Sequence, residues 1–208
     1  MTTRTTDLLK LSQWLSPAFP VSGYAYSHGL EAAMAEGRVR DAGEVEAWIA
    51  CVLRRGAGVL DAWAIRAVMG GAEPEEVADL LRARAGCGER WEETRAMGAA
   101  FCETTTAMGA APLADLPLPV ALGVRAAGME PVTVVTLYLQ SFAGQLVGAA
   151  TRFLPLGQAE AQRVLAALHP MIEAVAARAD DAPPGGAALL AKLDAMAHET
   201  LQPRIFRT

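Results

Sequence analysis

The feature that most constrains this chain is a long stretch without charge. From Pro131 to Thr151, twenty-one residues pass without an Asp, Glu, Lys or Arg, and about twenty such residues are enough for a helix to cross a bilayer. Two details argue against a membrane span. Thr133, Thr136, Gln140, Ser141 and Gln145 would be costly facing lipid. The larger apolar side chains Val135, Tyr138, Leu139, Phe142 and Leu146 recur at helical spacing, as they do on a helix buried by partners. The expectation is a central core helix.

Composition says what surrounds it. The 208 residues include 43 Ala and 24 Leu against 4 Ile and 12 aromatics, so good helix formers abound and strand formers are scarce. With 52% hydrophobic and 20% charged residues, the chain is outside the disordered regime, and its length suits one domain. Local punctuation supplies the boundaries. Asp7 is placed to cap a first helix carrying Leu8, Leu11 and Leu15, and two prolines and a glycine break the chain over Ser16–Gly23. A second helix is expected from Tyr24 to Glu36, ending at Gly37, and Asp41 with Glu44 has capping-box spacing before a third. Gly56 and Gly58 interrupt the pattern, Pro74 opens another helix, and helices are expected at 89–108, 120–127 and 159–179, with a last one ending near Thr200. The predicted fold is an all-α, single-domain helical bundle of about eight to ten helices over 1–208. A flexible connection is expected near 180–186, and a C-terminal tail at 201–208.

A formal net charge of −5 gives no basic field to attract nucleic acid or an anionic membrane. Cys51, Cys87 and Cys102 are an odd set without CxxC spacing, which argues against a disulfide framework. Met1–Asp7 is polar and followed by Lys10, unlike a signal peptide, so the cytoplasm is the expected compartment. The three histidines, His28, His169 and His198, are far apart, so no metal site is expected. Ser27 and His28 are neighbours, about 100° apart on a helix, and cannot form a nucleophile–base pair there. No GxSxG elbow or GxxxxGK cradle occurs. Glu89, Glu92 and Glu93, interleaved with Arg90 and Arg95, read as a solvated helix face. No catalytic constellation emerges, and a hydrolase would need His28, His198 and acidic groups to converge in a pocket.

Both ends of the chain stand out. On the expected second helix, Tyr24, His28 and Glu31 fall on one face at i, i+4, i+7. The tail ends in Arg204, Ile205, Phe206 and Arg207, residue types that interfaces enrich.

These segments carry a resemblance. SPAFPVSGYAYSHGLE at 16–31, ERWEETRAMG at 89–98, PLGQ at 155–158 and MAHETLQPRIFRT at 196–208 resemble, in order and spacing, four motifs of the urease accessory protein UreF family. The chain departs from the family at Ser22-Gly23 and at Gln202-Pro203. The resemblance implies an all-α homodimeric protein without enzymatic activity or a stably bound cofactor. Such a protein binds a second accessory protein, UreD or UreH, and recruits the GTPase UreG. The complex handles nickel transiently and inserts it into apo-urease. Tyr24 and Arg204 match positions that cooperate in recruiting the GTPase, and the tail is expected to become ordered when UreD/UreH binds. Partner-binding residues are accordingly expected at Tyr24, Ser27, His28 and Glu31, and at His198, Glu199, Arg204 and Phe206. An alternative within the same class is a GTPase-regulating factor with Arg204 or Arg207 as an arginine finger. Removing Leu201–Thr208 is expected to leave the isolated protein's helix content and melting temperature almost unchanged.

Overall fold

The computed structural model describes residues 4–178, 182–185 and 187–208. Asp180, Asp181 and Gly186 of the expected connection thus lie outside the described residues. The helices are α1 (Thr5–Trp14), α2 (Leu30–Ala35), α3 (Ala42–Arg55), α4 (Ala57–Met69), α5 (Pro74–Arg84), α6 (Gly88–Ala107), α7 (Leu118–Arg125), α8 (Pro131–Phe153), α9 (Gln158–Ala167), α10 (His169–Ala176) and α11 (Leu189–His198). Among the described residues there is no strand. Ten of these helices have eight residues or more, so the all-α bundle agrees with the expectation from composition.

The uncharged stretch is α8, and it is the axis of the fold. Val134, Val135, Tyr138, Leu139, Phe142, Ala143, Leu146 and Val147 are buried along it, and α2, α3, α4, α9 and α10 pack around them. It is long and apolar enough to cross a membrane, but its apolar face is covered by neighbouring helices of the same chain. Its free N-terminal amides are met by Glu130, whose carboxylate accepts from Val132 N (3.0 Å) and Thr133 N (2.6 Å). Phe101 of α6, fully buried, closes one end of the core between the rings of Trp14 and Phe19, with centroids 5.8 and 5.7 Å away.

Several boundaries fall where the punctuation placed them. The Asp41 side chain accepts from Glu44 N at 2.9 Å, and the Glu44 carboxylate accepts from Arg40 N at 2.7 Å. Three boundaries differ. First, α1 begins at Thr5 with Arg4 as its N-cap, and Asp7 is buried in the first turn, bonded by Arg4 Nε at 3.1 Å. Asp7 found a cation and not an amide. Second, residues 24–29 are not α-helical. Gly23–Ala25 makes one 3-10 turn, and His28 (φ 59°) and Gly29 (φ 83°) take left-handed backbone conformations that reverse the chain before α2. Third, the helix expected over 159–179 breaks at Leu168, because Pro170 has no N–H to continue α9 and instead occupies the first turn of α10.

Two close approaches set the packing. A Cβ on Gly98 would lie 1.9 Å from Leu116 O, so α6 touches the backbone leading into α7. A Cβ on Gly29 would lie 2.5 Å from Ala195 N, so α11 crosses directly over the start of α2. Gly98→Ala should therefore force α6 away from Leu116. We expect a loss of about 1–3 kcal/mol, read as a lower urea midpoint with helix content retained; an unchanged midpoint would mean that the 113–117 loop yields freely.

Candidate functional site

The crossing at Gly29 brings the two unusual chain ends together. His198, the last residue of α11, is fully buried. Its Nε2 lies 2.9 Å from Glu31 Oε2 on α2, and its Nδ1 lies 2.8 Å from Glu89 Oε2 on α6. Each ring nitrogen thus faces a carboxylate oxygen. Glu199 makes the reverse connection: its carboxylate accepts from Gly88 N (2.9 Å) and Glu89 N (3.3 Å) and caps α6. The end of α11 and the start of α6 are therefore clasped by two neighbouring side chains.

The tail threads through this clasp. Glu31 accepts the backbone amides of Ile205 (2.6 Å, to Oε1) and Phe206 (3.0 Å, to Oε2), and Arg204 Nη1 donates to Glu89 Oε1 at 2.6 Å. Beyond them, Arg207 N donates to Ala25 O at 2.8 Å and Ser27 N to Thr208 O at 2.7 Å. The Ser27 hydroxyl also donates to Thr208 O. The Phe206 ring is buried, with the Arg152 guanidinium 4.6 Å above its centroid, and Arg152 Nη1 donates to Tyr24 O at 2.6 Å.

A second buried cluster adjoins the first. His28 Nδ1 lies 3.3 Å from Glu93 Oε2, which also accepts from Thr208 Oγ1 at 3.1 Å. Arg90 reaches Glu93 Oε1 (3.3 Å) and Asp61 Oδ2 (2.8 Å), and Asp61 accepts from Tyr138 OH at 2.7 Å. Burial alone would raise Glu93, but Arg90 and His28, with hydrogen bonds from His28 and Thr208, outweigh it and hold the carboxyl below its ordinary 4.5. Arg90 moves up: burial opposes its charge, and the carboxylates of Asp61 and Glu93 more than offset that. The left-handed backbone at His28 is held by its bond to Glu93 and by edge contact with Phe142, centroid to centroid 5.3 Å. Among the described residues no buried side-chain nitrogen or oxygen lacks a partner, as a buried polar network requires.

A cavity of about 440 Å³ opens beside this cluster, with His28, Asp61, Cys87 and Arg90 on its polar side and Val52 and Leu81 on its apolar side. Ser27 is fully buried and spends its hydroxyl on the tail, so it has no route to a substrate. Among the described residues, no three His, Cys, Asp or Glu side chains are grouped to hold a metal ion.

Comparison with known sequences decides the family. The UreF family profile matches residues 39–169. Urease accessory protein UreF of Cereibacter sphaeroides (strain KD131 / KCTC 12085) is 52% identical over 206 residues, covering 97% of this chain and 98% of that protein. The protein of the same name from Jannaschia sp. (strain CCS1) is 53% identical over 213 residues, covering 99% and 96%. That of Paracoccus denitrificans (strain Pd 1222) is 44% identical over 217 residues, covering both chains completely. The chain belongs to the UreF family of urease accessory proteins.

In this UreF-family structure the expected site residues divide into two groups. Ser27 and Glu31 are buried and bond the tail, His28 and His198 are buried against the carboxylates that hold it, and Phe206 is the tail's own buried ring, whereas Tyr24 (66% exposed), Glu199 and Arg204 reach the surface. Tyr24, His28 and Glu31 do not share a helix face, because the left-handed pair His28-Gly29 separates them. The solvated-face reading of α6 holds for Glu92, paired with Arg95 at 2.9 Å, and fails for Glu89, Arg90 and Glu93, which turn inward. A signal for this was available: Glu93 continues the buried row of Met97 and Phe101 at i, i+4, i+8. Asp61, Thr208 and Arg152 carried none.

The contacts of the tail argue against the expectation that it is dispensable for stability. Ending the chain at Thr200 would strip Glu31 and Glu93 of donors and expose the pocket of Phe206. We expect a loss of about 3 kcal/mol in chemical denaturation, and a change near zero would mean that water replaces the tail without loss. The lowered Glu93 carboxyl makes a separate prediction. Its ionised form stabilises the fold above pH 4.5, and that contribution is lost as the pH falls through the lowered value. Glu93→Gln should be less stable than the parent at pH 7 and show a shallower decline of stability below pH 4.5; parallel pH profiles would contradict the assignment.

Proposed function

We propose that this protein is an adaptor and chaperone of urease maturation. In this reading it acts in the cytoplasm as a homodimer, with a UreD/UreH-type protein and a UreG-type GTPase, to let nickel enter apo-urease. It performs no chemistry itself and binds no cofactor stably; nickel is the cargo of the assembly. Nearly full-length identity of about 50% to proteins named urease accessory protein UreF supports the accessory role. The observation that carries the finer reading is the docked tail. Its buried side is consumed by Glu31, Glu89 and Glu93, and its outer side leaves Ile205 65% exposed and Arg204 and Arg207 at the surface, with Tyr24 and Arg152 beside them.

Exposed aromatic, Ile and Arg side chains on a rigid backing make a protein-docking surface rather than an active site. Tyr24 is linked to the tail through Arg152, which donates to the Tyr24 carbonyl and stacks on Phe206. A partner that contacts Tyr24 therefore senses whether the tail is seated. Arg204 serves this surface as a docking group, since one of its nitrogens is already held by Glu89.

The test is co-expression with a UreD/UreH-type protein and a UreG-type GTPase, followed by the mass of the co-eluting assembly. We expect one complex containing two copies of each subunit. Tyr24→Ala and Arg204→Ala should each leave the fold intact and weaken GTPase recruitment about tenfold, the effect of losing one interface anchor. A monomer that binds neither partner would overturn the proposal.

A further inference from the structure

Glu89 does not belong to the solvated face where its neighbours in sequence place it. It sits in the first turn of α6 with its side chain 17% exposed, and its two oxygens are divided between two elements. Oε2 is 2.8 Å from His198 Nδ1 at the end of α11, and Oε1 is 2.6 Å from Arg204 Nη1 in the tail. Five residues, 199–203, separate those two contacts, and none of them is helical. The backbone N–H of Glu89 is itself fixed by Glu199. On the far side of the same imidazole, Glu31 takes the amides of Ile205 and Phe206. Residues 204–206 are thus gripped by two carboxylates joined through one ring.

We infer that Glu89 is a positioning residue for the recruitment surface, fixing Arg204 in the orientation in which a GTPase-type partner meets it. The inference rests on the adaptor reading above and adds a residue to it. The Arg204 side chain is 45% exposed, and an unrestrained arginine loses rotamer freedom when an interface immobilises it. A guanidinium held at one nitrogen by Glu89 has lost much of that freedom already and is still 45% exposed, so the partner meets a prearranged group. The same contact opposes an arginine-finger role, because Arg204 would have to leave a charge-assisted bond to reach a nucleotide.

Glu89→Ala and Glu89→Gln test this in the full-length protein. Glutamine keeps the shape but removes the charge, so Arg204 loses a charge-assisted partner, and the variant tests the role even if the alanine variant folds poorly. The first measurement is amide hydrogen exchange of Ile205 and Phe206 in the isolated protein, with α3 and α4 amides as the internal reference. The second is affinity of the UreG-type GTPase for the complex with the UreD/UreH-type protein, alongside its GTP hydrolysis rate, with Arg204→Ala as the reference variant. We expect exchange at Ile205 and Phe206 to quicken by about tenfold or more while α3 and α4 keep their protection. GTPase affinity should fall about tenfold, as in Arg204→Ala, with unchanged hydrolysis. Unaltered tail exchange would overturn the inference, as would full GTPase affinity in a Glu89 variant when Arg204→Ala is impaired. Faster GTP hydrolysis on freeing Arg204 would also overturn it, in favour of the finger. If Arg204→Ala and Tyr24→Ala both recruit normally, the recruitment surface itself is misassigned, a result that does not depend on Glu89.

Discussion

The carboxylate of Glu31 is the interaction on which the arrangement of this molecule depends. It is almost completely buried, and an ionised carboxylate taken from water without compensation is among the most unfavourable things a fold can contain. Three groups meet it: the His198 ring from α11 and the donating amides of Ile205 and Phe206 from the tail. None of them is local, so the charge can be satisfied only if α11 crosses α2 closely and the last residues return over the crossing. Gly29 makes that crossing possible, since any side chain there would meet the backbone of Ala195. A requirement set by one charge thus dictates where a helix and a terminal segment must lie.

The network built on it is specific rather than strongly stabilising. Four acids (Glu31, Glu89, Glu93 and Asp61) are matched by two guanidiniums (Arg90 and Arg204) and two imidazoles (His28 and His198). Buried ion pairs of this kind often do little better than apolar residues of the same volume, because desolvation offsets attraction. Removing one member, by contrast, leaves a charge stranded. Apolar packing around α8 supplies the general stability, and the charged cluster selects a tail conformation in which every buried side-chain nitrogen and oxygen among the described residues has a partner.

Most of the helices were legible in the sequence because their signals are local. The uncharged run predicts α8, Asp41 and Glu44 predict the start of α3, and Pro74 predicts that of α5. The site was legible only in part. Residues of the two chain ends were recognisable as unusual, but their partners come from α6 and α4, and no local pattern says that Glu93 pairs with His28 sixty-five positions away. The expected helix over Tyr24–Glu36 failed at 24–29 for a related reason: His28 and Gly29 take left-handed backbone conformations, and the crossing of α11 at Ala195 leaves no room for a side chain at Gly29. Tertiary contact overrode local propensity there, and those residues became the core of the site.

The division of the tail into a consumed inner side and an open outer side has a consequence for how partners could be coupled. Its inner contacts are mostly bonds to carboxylates on α2 and α6, each individually modest, with the ring of Phe206 as the main apolar anchor. A segment held in this way leaves its seat more easily than a core helix does, because water can replace amide and guanidinium donors on a carboxylate more readily than it can fill an apolar pocket. Anything that binds the seated conformation draws its binding energy partly from keeping the tail in place, and so favours every other ligand of the same surface. Tyr24 lies on that surface without touching the carboxylates, joined to the tail by the bond from Arg152 to its carbonyl and the stacking of Arg152 on Phe206. Coupling between two partners would then need no movement of the helical bundle, only a shared preference for one position of eight residues.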